Sequence, residues 1–182
     1  MSSDFDIREE RSADIDAIRD VTVSAFKTLG ISSHAEQYIV EALRAAGALA
    51  VSLVAEVDGR VVGHIAFSPA TISDGAGDRY GPGPLSVLPA YQHRGIGRAS
   101  IEEGLSRLKG LGARGVCLVG HPDYYRRSGF GNAPGLVLEG VPPEVLFALS
   151  FDGHVPHGRV RFHETFDADS ESSVKNADRG RA

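Results

Sequence analysis

The chain has 182 residues, of which 42% are hydrophobic and 24% charged, and these proportions fit one globular domain and exclude a collagen-like or wholly disordered chain. Its 24 Asp and Glu outnumber 19 Lys and Arg, giving a net charge of −5, which argues against nucleic-acid and membrane partners. The single cysteine, Cys117, excludes an intrachain disulfide, and because no apolar run approaches the roughly 18 residues of a membrane span, we expect a cytoplasmic protein.

The N-terminal half predicts two helices and three strands. Ser12 stands where the N-cap of the first helix is expected, and the segment from Ser33 to Glu36 has the capping-box pattern that starts a second. Asp58-Gly59 is a strong hairpin signal between two apolar runs. The predicted strands cover residues 4–8, 49–57 and 61–67.

The C-terminal half alternates strands with helices, which predicts a mixed α/β sheet. Residues 71–84 are rich in glycine and predict a loop, and Gly112 predicts the end of a helix over 96–111. The polar segment 167–182 cannot bury enough surface to offset its ordering entropy, so we expect a domain over 1–166 and a flexible tail. The other predicted elements are strands over 85–88, 116–119, 136–138, 145–151 and 160–162 and a short helix over 122–128.

The most informative stretch runs from Leu85 to Ala99, where a strand leads through a glycine turn into a helix. Unpaired backbone N–H groups at a helix start favour phosphate. Gly95 and Gly97 leave that backbone open, and the neighbouring arginines add positive charge. The plainer interpretation is a glycine turn with solvated arginines.

Two nucleotide-binding motifs are excluded. The dinucleotide pattern GxGxxG fails because Ser100 stands at its sixth position and because Val119-Gly120-His121, at the end of the next strand, offers no acidic residue for a ribose. The P-loop fails because no Gly-Lys-Ser/Thr follows the glycines.

Two motifs, in the expected order, resemble the GNAT superfamily of N-acetyltransferases. Gln92-x-x-Gly95-x-Gly97 resembles their acetyl-CoA pyrophosphate loop, and the segment from Tyr124 to Phe130 resembles their Phe-Tyr-x-x-x-Gly-Phe sequence. The resemblance extends over about residues 4–166 and is greatest to an uncharacterised bacterial branch of predicted acetyltransferases. The chain departs from the family at His121-Pro122, in a shortened segment where many relatives carry an asparagine that contacts the cofactor.

The resemblance implies the GNAT fold, a central, mostly antiparallel sheet with a splayed strand pair, flanked by helices. It implies an enzyme that transfers an acetyl or short acyl group from acetyl-CoA directly to a primary amine, without a metal. The pantetheine arm is expected in the gap between strands 85–87 and 116–119. The implied cofactor-binding residues are Leu85, Val87, Gln92, His93, Arg94, Gly95, Ile96, Gly97, Arg98 and Ala99.

Acyl transfer to an amine needs a neutral amine, a donor for the oxyanion and a proton for the departing thiolate. Tyr125 aligns with the family's general acid, and aromatic packing is the alternative role for its ring. His121 is a candidate base, with helix capping as the alternative. Tyr124 is interpreted as a core or lid aromatic.

The sequence leaves several questions open. The acceptor is a small-molecule or peptide amine whose identity would depend on the loops 27–33, 71–84 and 153–158. The oligomeric state, a dimer included, is not specified. A non-catalytic module that binds or senses acyl-CoA on the same fold is the alternative function.

Overall fold

The computed structural model describes residues 4–29 and 34–167. The strands are β1 (Asp6–Glu9), β2 (Val51–Val57), β3 (Arg60–Ile72), β4 (Arg79–Val87), β5 (Gly115–Val119), β6 (Gly131–Asn132), β7 (Leu136–Val137), β8 (Leu146–Ser150) and β9 (Gly158–Arg161). The helices are α1 (Ile15–Phe26), α2 (Glu36–Ala45), α3 (Ile96–Gly110) and α4 (Pro122–Tyr125). None of these described helices is long and apolar enough to cross a membrane.

The strands form a mixed sheet in the order β1-β2-β3-β4-β5-β8-β6. Neighbours along this path are antiparallel, except that β4 and β5 run parallel. Off the path, β9 pairs with the end of β3 and with β7. The parallel pair on this path therefore lies in the middle of the sheet, and off the path β7 and β9 also run parallel.

Adjacent residues of a strand point to opposite faces of the sheet. Both faces carry apolar side chains, and helices cover both of them. In β2, Leu53 packs with Ile101 of α3, whereas Val54 packs with Ile18 of α1. The second face also receives α2, through Val40. The predicted mixed α/β fold is confirmed, as are the 49–57/61–67 hairpin and, within one residue, the 96–111 helix.

The predicted loop over 71–84 is wrong. β3 continues to Ile72 and β4 begins at Arg79, so only 73–78 connect them, and the predicted strand 85–88 is the end of β4. Gly81 pairs with Ser68 of β3. The glycines and prolines of this segment disfavour a strand by local propensity. The strand forms because it pairs with β3, and no local pattern reveals that partner.

The assignment of Ser12 as an N-cap is also wrong. Ser12 opens a 3-10 turn, and α1 begins at Ile15. The buried carboxylate of Asp14 organises this turn, because it accepts the backbone N–H of Arg11 at 2.7 Å and pairs with Arg8 at 2.7 Å. Ser33 of the predicted capping box and residues 168–182 of the predicted tail lie outside the described residues.

Candidate functional site

The parallel strands β4 and β5 separate soon after they meet. Their register consists of Arg79 with Gly115 and Tyr80 with Val116. Beyond these two pairs, the edge of β4 that faces β5 borders a gap, while its other edge stays paired with β3. The structure therefore contains the splayed strand pair that the family resemblance implies.

The main chain at the end of β4 faces this gap. The N–H of Leu88 donates to the carbonyl of Val62 in β3 at 2.8 Å. Because the direction of main-chain groups alternates along a strand, those of Leu85 and Val87 point away from β3. The side chain of Gln92 confirms this for Val87, since its Nε2 donates to the Val87 carbonyl at 3.1 Å.

A β-bulge lies between the two ends of β4. From Ile65 to Phe67, β3 advances two residues, whereas their partners in β4, Leu85 and Pro82, are three residues apart. The extra residue exchanges the faces to which side chains point. On one side of the bulge, Gly81 faces the ring of Phe162; on the other, Leu85 faces α3.

The turn before α3 contains two residues in the left-handed region of backbone conformation. Gly95 is the N-cap of α3 with φ 83°, and His93 also has a positive φ of 63°. Ile96 is 2% exposed and packs on the sheet with Ala55, which anchors the helix start. The first-turn N–H groups of such a helix lack intrahelical partners and can hold an anion.

Both motif tyrosines lie beside the gap, but they have different surroundings. The ring of Tyr125 packs against Gly120 and meets the ring of Phe130 edge-on, with the ring centroids 6.0 Å apart. This burial raises the pKa of Tyr125 to about 12. Its hydroxyl makes no hydrogen bond within the described part of the chain. The rings of Tyr124 and Tyr125 are in edge contact, with their centroids 5.0 Å apart, and the hydroxyl of Tyr124 lies against Gly97 of α3. Sequence reasoning missed this contact, although the small residue at 97 was the available signal.

His121 caps α4. Its Nδ1 accepts the backbone N–H of Asp123 at 3.3 Å, and its side chain is 75% exposed. This geometry supports the capping interpretation. The use of His121 as a base stays a prediction, for which its second ring nitrogen is available.

Two aromatic rings lie over the opposite face of β4. Phe162 contacts Gly81 and Phe166 lies near Gly83, with the ring centroids 6.2 Å apart. The neighbouring Cys117 is buried, which raises the pKa of its thiol to about 11 and leaves it unreactive. Residues 4–29 and 34–167 contain no group of three or more His, Cys, Asp or Glu side chains that could hold a metal ion.

Comparisons with known proteins place this site in context. Residues 15–131 match the acetyltransferase (GNAT) family. The uncharacterized N-acetyltransferase YjhQ of Escherichia coli K12 is 34% identical over 128 residues, 68% of this chain and 67% of that protein. The uncharacterized N-acetyltransferase YhbS of the same strain is 36% identical over 109 residues, 59% of this chain and 65% of that protein.

Two solved structures are similar over nearly the whole chain. A GNAT family acetyltransferase from Brucella melitensis, in complex with acetyl-CoA, is 47% identical with a TM-score of 0.80, covering 91% of this chain and 100% of that one. Escherichia coli YhbS, in complex with CoA, is 29% identical with a TM-score of 0.82, covering 92% of this chain and 94% of that one.

Proposed function

Because the chain belongs to the GNAT family of acetyltransferases, we propose that it transfers an acetyl or another short acyl group from acetyl-CoA directly to a primary amine. The observation that carries this proposal is the gap between β4 and β5. Main-chain groups of Leu85 and Val87 line the gap, and α3 begins directly after the turn that follows β4. The similar proteins from Brucella melitensis and Escherichia coli were solved with acetyl-CoA and CoA.

The cofactor would bind along this main chain. The amides from His93 to Arg98 would hold the pyrophosphate, and the side chain of Arg98 would add positive charge. The predicted contribution of Ala99 is corrected, because its N–H already donates to the carbonyl of Gly95 at 3.0 Å. The pantetheine arm pairs with Leu85 and Val87 in the gap. In the structure, the side-chain amide of Gln92 donates to the Val87 carbonyl. When the pantetheine arm donates to that carbonyl instead, the Gln92 amide would turn toward the cofactor.

Tyr125 would supply the proton to the departing thiolate. A pKa of about 12 keeps its hydroxyl protonated at neutral pH, and a thiolate is a competent acceptor as negative charge develops on sulfur. A strand amide near Val87 would meet the oxyanion. The amine must lose its proton before it attacks, and His121 is our candidate base for that step.

A thiol-release assay tests the proposal. The protein is given acetyl-CoA and a panel of amines that includes polyamines, amino acids, aminoglycosides and peptide N-termini. Amine-dependent release of CoA is expected for at least one member. Binding of acetyl-CoA without release for any amine would instead favour the acyl-CoA binding or sensing module. The cytoplasmic location stays a prediction.

A further inference from the structure

Arg79 is a buried cation whose hydrogen bonds are incomplete. Its side chain is 2% exposed, at the start of β4. Its Nη1 donates to the carbonyl of Arg114 at 2.9 Å and its Nη2 to that of His154 at 3.4 Å. Its Nε is buried and has no hydrogen-bond partner among the described residues. A buried donor in this state costs about 1–3 kcal/mol, and more when charged.

The charge of Arg79 is only partly balanced. Asp152 is the carboxylate with which it pairs, at 3.7 Å, beyond hydrogen-bond distance. The other oxygen of Asp152 lies 2.7 Å from Nε of Arg114, so two arginines share one carboxylate in the described part of the chain. The excess positive charge therefore falls on Arg79, the more buried arginine.

The surrounding backbone makes room for this guanidinium. A Cβ atom at Gly115, the partner of Arg79 in β5, would collide with Nη1 of Arg79. The same Cβ would lie 2.7 Å from the backbone carbonyl oxygen of Leu149, so the position admits only glycine. The cation is thus held in place by its two carbonyl partners and by the space at residue 115.

A cavity of about 190 Å³ adjoins Arg79 on the face of the sheet that carries Cys117. Its walls are mainly apolar, with Val116, Ala133, Ala148, Leu149, Val155 and Pro156 among them. The two other polar side chains already have partners: Asn132 donates to the carbonyl of Leu146 and Ser150 to that of His154. The neutral Cys117 thiol does not repel an anion.

We propose that this cavity binds a small aliphatic monocarboxylate. Its carboxylate would pair with the guanidinium of Arg79 in the cavity wall, because a guanidinium presents a fork of donors that matches a carboxylate. The buried Nε of Arg79 would turn toward the ligand to complete this fork. Its chain would contact the apolar walls at Ala133 and Ala148. A cavity of about 150 Å³ accepts benzene, so 190 Å³ suits a ligand of four to six carbons. The carboxylate is either a free molecule or one end of the acceptor, and the site does not depend on the proposed acetyl transfer.

Isothermal titration calorimetry at constant ionic strength tests the site, with butyrate as the probe and butyramide as its uncharged match. We expect saturable butyrate binding in the millimolar range and at least about tenfold weaker butyramide binding. Butyrate that fails to saturate by about 50 mM would overturn the proposal. Inorganic phosphate binding more tightly than butyrate would overturn the assigned ligand class.

Three variants locate the binding. Arg79→Met removes the cation, whereas Ala133→Leu keeps the cation and fills the cavity. Each variant should weaken butyrate binding about tenfold or more. Arg60→Met is the control, because it removes an exposed arginine at the start of β3 that does not line the cavity, and it should keep binding within about twofold. Should Arg79→Met fail to fold, unchanged butyrate binding by Ala133→Leu would still overturn the proposal.

The thiol-release assay then distinguishes the source of the carboxylate. With 4-aminobutyrate and butylamine as matched acceptors, a site for the acceptor predicts that butyrate competes with the former only. It also predicts that Ala133→Leu raises KM for 4-aminobutyrate alone. Butyrate that binds but competes with neither amine supports a site for a separate small carboxylate. Absence of thiol release with every amine would count against the proposed function, while the calorimetry still decides the site.

Discussion

The hydroxyl of Tyr124 lies against Gly97, in the space that a Cβ atom on residue 97 would occupy. The next nearest atom of the tyrosine, Cζ, would be 3.6 Å from that Cβ, an ordinary contact distance. Leu85 of β4 lies 3.8 Å from the same point. The start of α3, the helix after β5 and the edge of the gap therefore meet at one glycine.

This contact predicts a strong coupling between residues 97 and 124. Gly97→Ala should destabilise the parent by about 1–3 kcal/mol, because the methyl displaces the tyrosine hydroxyl. In the Tyr124→Phe background that cost should vanish or change sign, since alanine favours a helix over glycine by about 1 kcal/mol. Urea denaturation of the four proteins measures the cycle. An equal cost in both backgrounds would show that the hydroxyl does not occupy this space.

Acetyl-CoA should stabilise the folded protein, because only the folded loop binds it. At about 100 times Kd the gain is about 2.7 kcal/mol, a rise in Tm of about 5–10 °C for a chain of this size. Gly97→Asp should abolish the rise by placing a carboxylate where the pyrophosphate binds. Gly110→Asp, at the other end of α3 with open space around it, should retain the rise. NAD should give none, and no rise with millimolar acetyl-CoA would contradict the loop assignment.

Tyr125→Phe should slow the chemical step. The ring packing on Phe130 is kept, but the proton for the thiolate is lost, so kcat should fall about 10²–10⁴-fold with little change in acetyl-CoA affinity. Tyr124→Phe is the matched control and should lose much less. The raised pKa of Tyr125 predicts no loss of the acid through its ionisation below about pH 11. Near-parent kcat in Tyr125→Phe, with chemistry rate-limiting, would make the ring structural and leave protonation of CoA to water or another residue.

Stability should fall at mildly acidic pH because of His64. This side chain is fully buried, its Nε2 lies 2.8 Å from the Ser52 hydroxyl, and desolvation lowers its pKa from 6.5 to about 4, with Glu10 opposing the shift and Arg44 adding to it. The unfolded chain binds a proton below pH 6.5 and the folded protein only near pH 4. The free energy of unfolding should therefore drop by about 3 kcal/mol across that window.

Denaturant titrations between pH 7 and pH 4.5 measure this loss. His64→Gln keeps a donor toward Ser52 and cannot be protonated, so its stability should vary much less over the same range. The carboxylates of Glu10 and Asp14 have lowered pKa values in the folded protein, so their own loss of stability begins only at the acidic end of this range, where the unfolded chain takes up protons. The His64→Gln variant keeps both carboxylates and therefore separates their effect from that of His64. A parent protein with constant stability from pH 7 to pH 4.5 would contradict the burial of a neutral His64.

Cys117 should resist thiol reagents in the folded state. Burial raises the pKa of its thiol to about 11 and removes access to it. Ellman's reagent should react with the native protein orders of magnitude more slowly than with the urea-unfolded protein. Rapid reaction under native conditions would show that the β5 region opens readily.

The candidate site was predictable from the sequence to a large extent, and the reasons are local. The loop from Gln92 to Gly97 is marked by glycines directly before a helix. Both signals lie within a few adjacent residues, so the sequence alone shows them. The short helix that carries Tyr125 follows a buried strand in the same way. The roles of single side chains were less visible, as the contact of Tyr124 with Gly97 shows.

The sequence by itself determined the family, the order of most elements and the glycine turn before α3, because each depends on residue spacing within one segment. Only the tertiary structure decided that residues 79–84 form a strand, since they pair with β3 and lie against Phe162, residues far away in the chain. It alone also decided that Arg79 is buried beside a cavity with one shared carboxylate. Burial and charge balance are sums over distant neighbours, and those neighbours are chosen by the fold rather than by any local pattern.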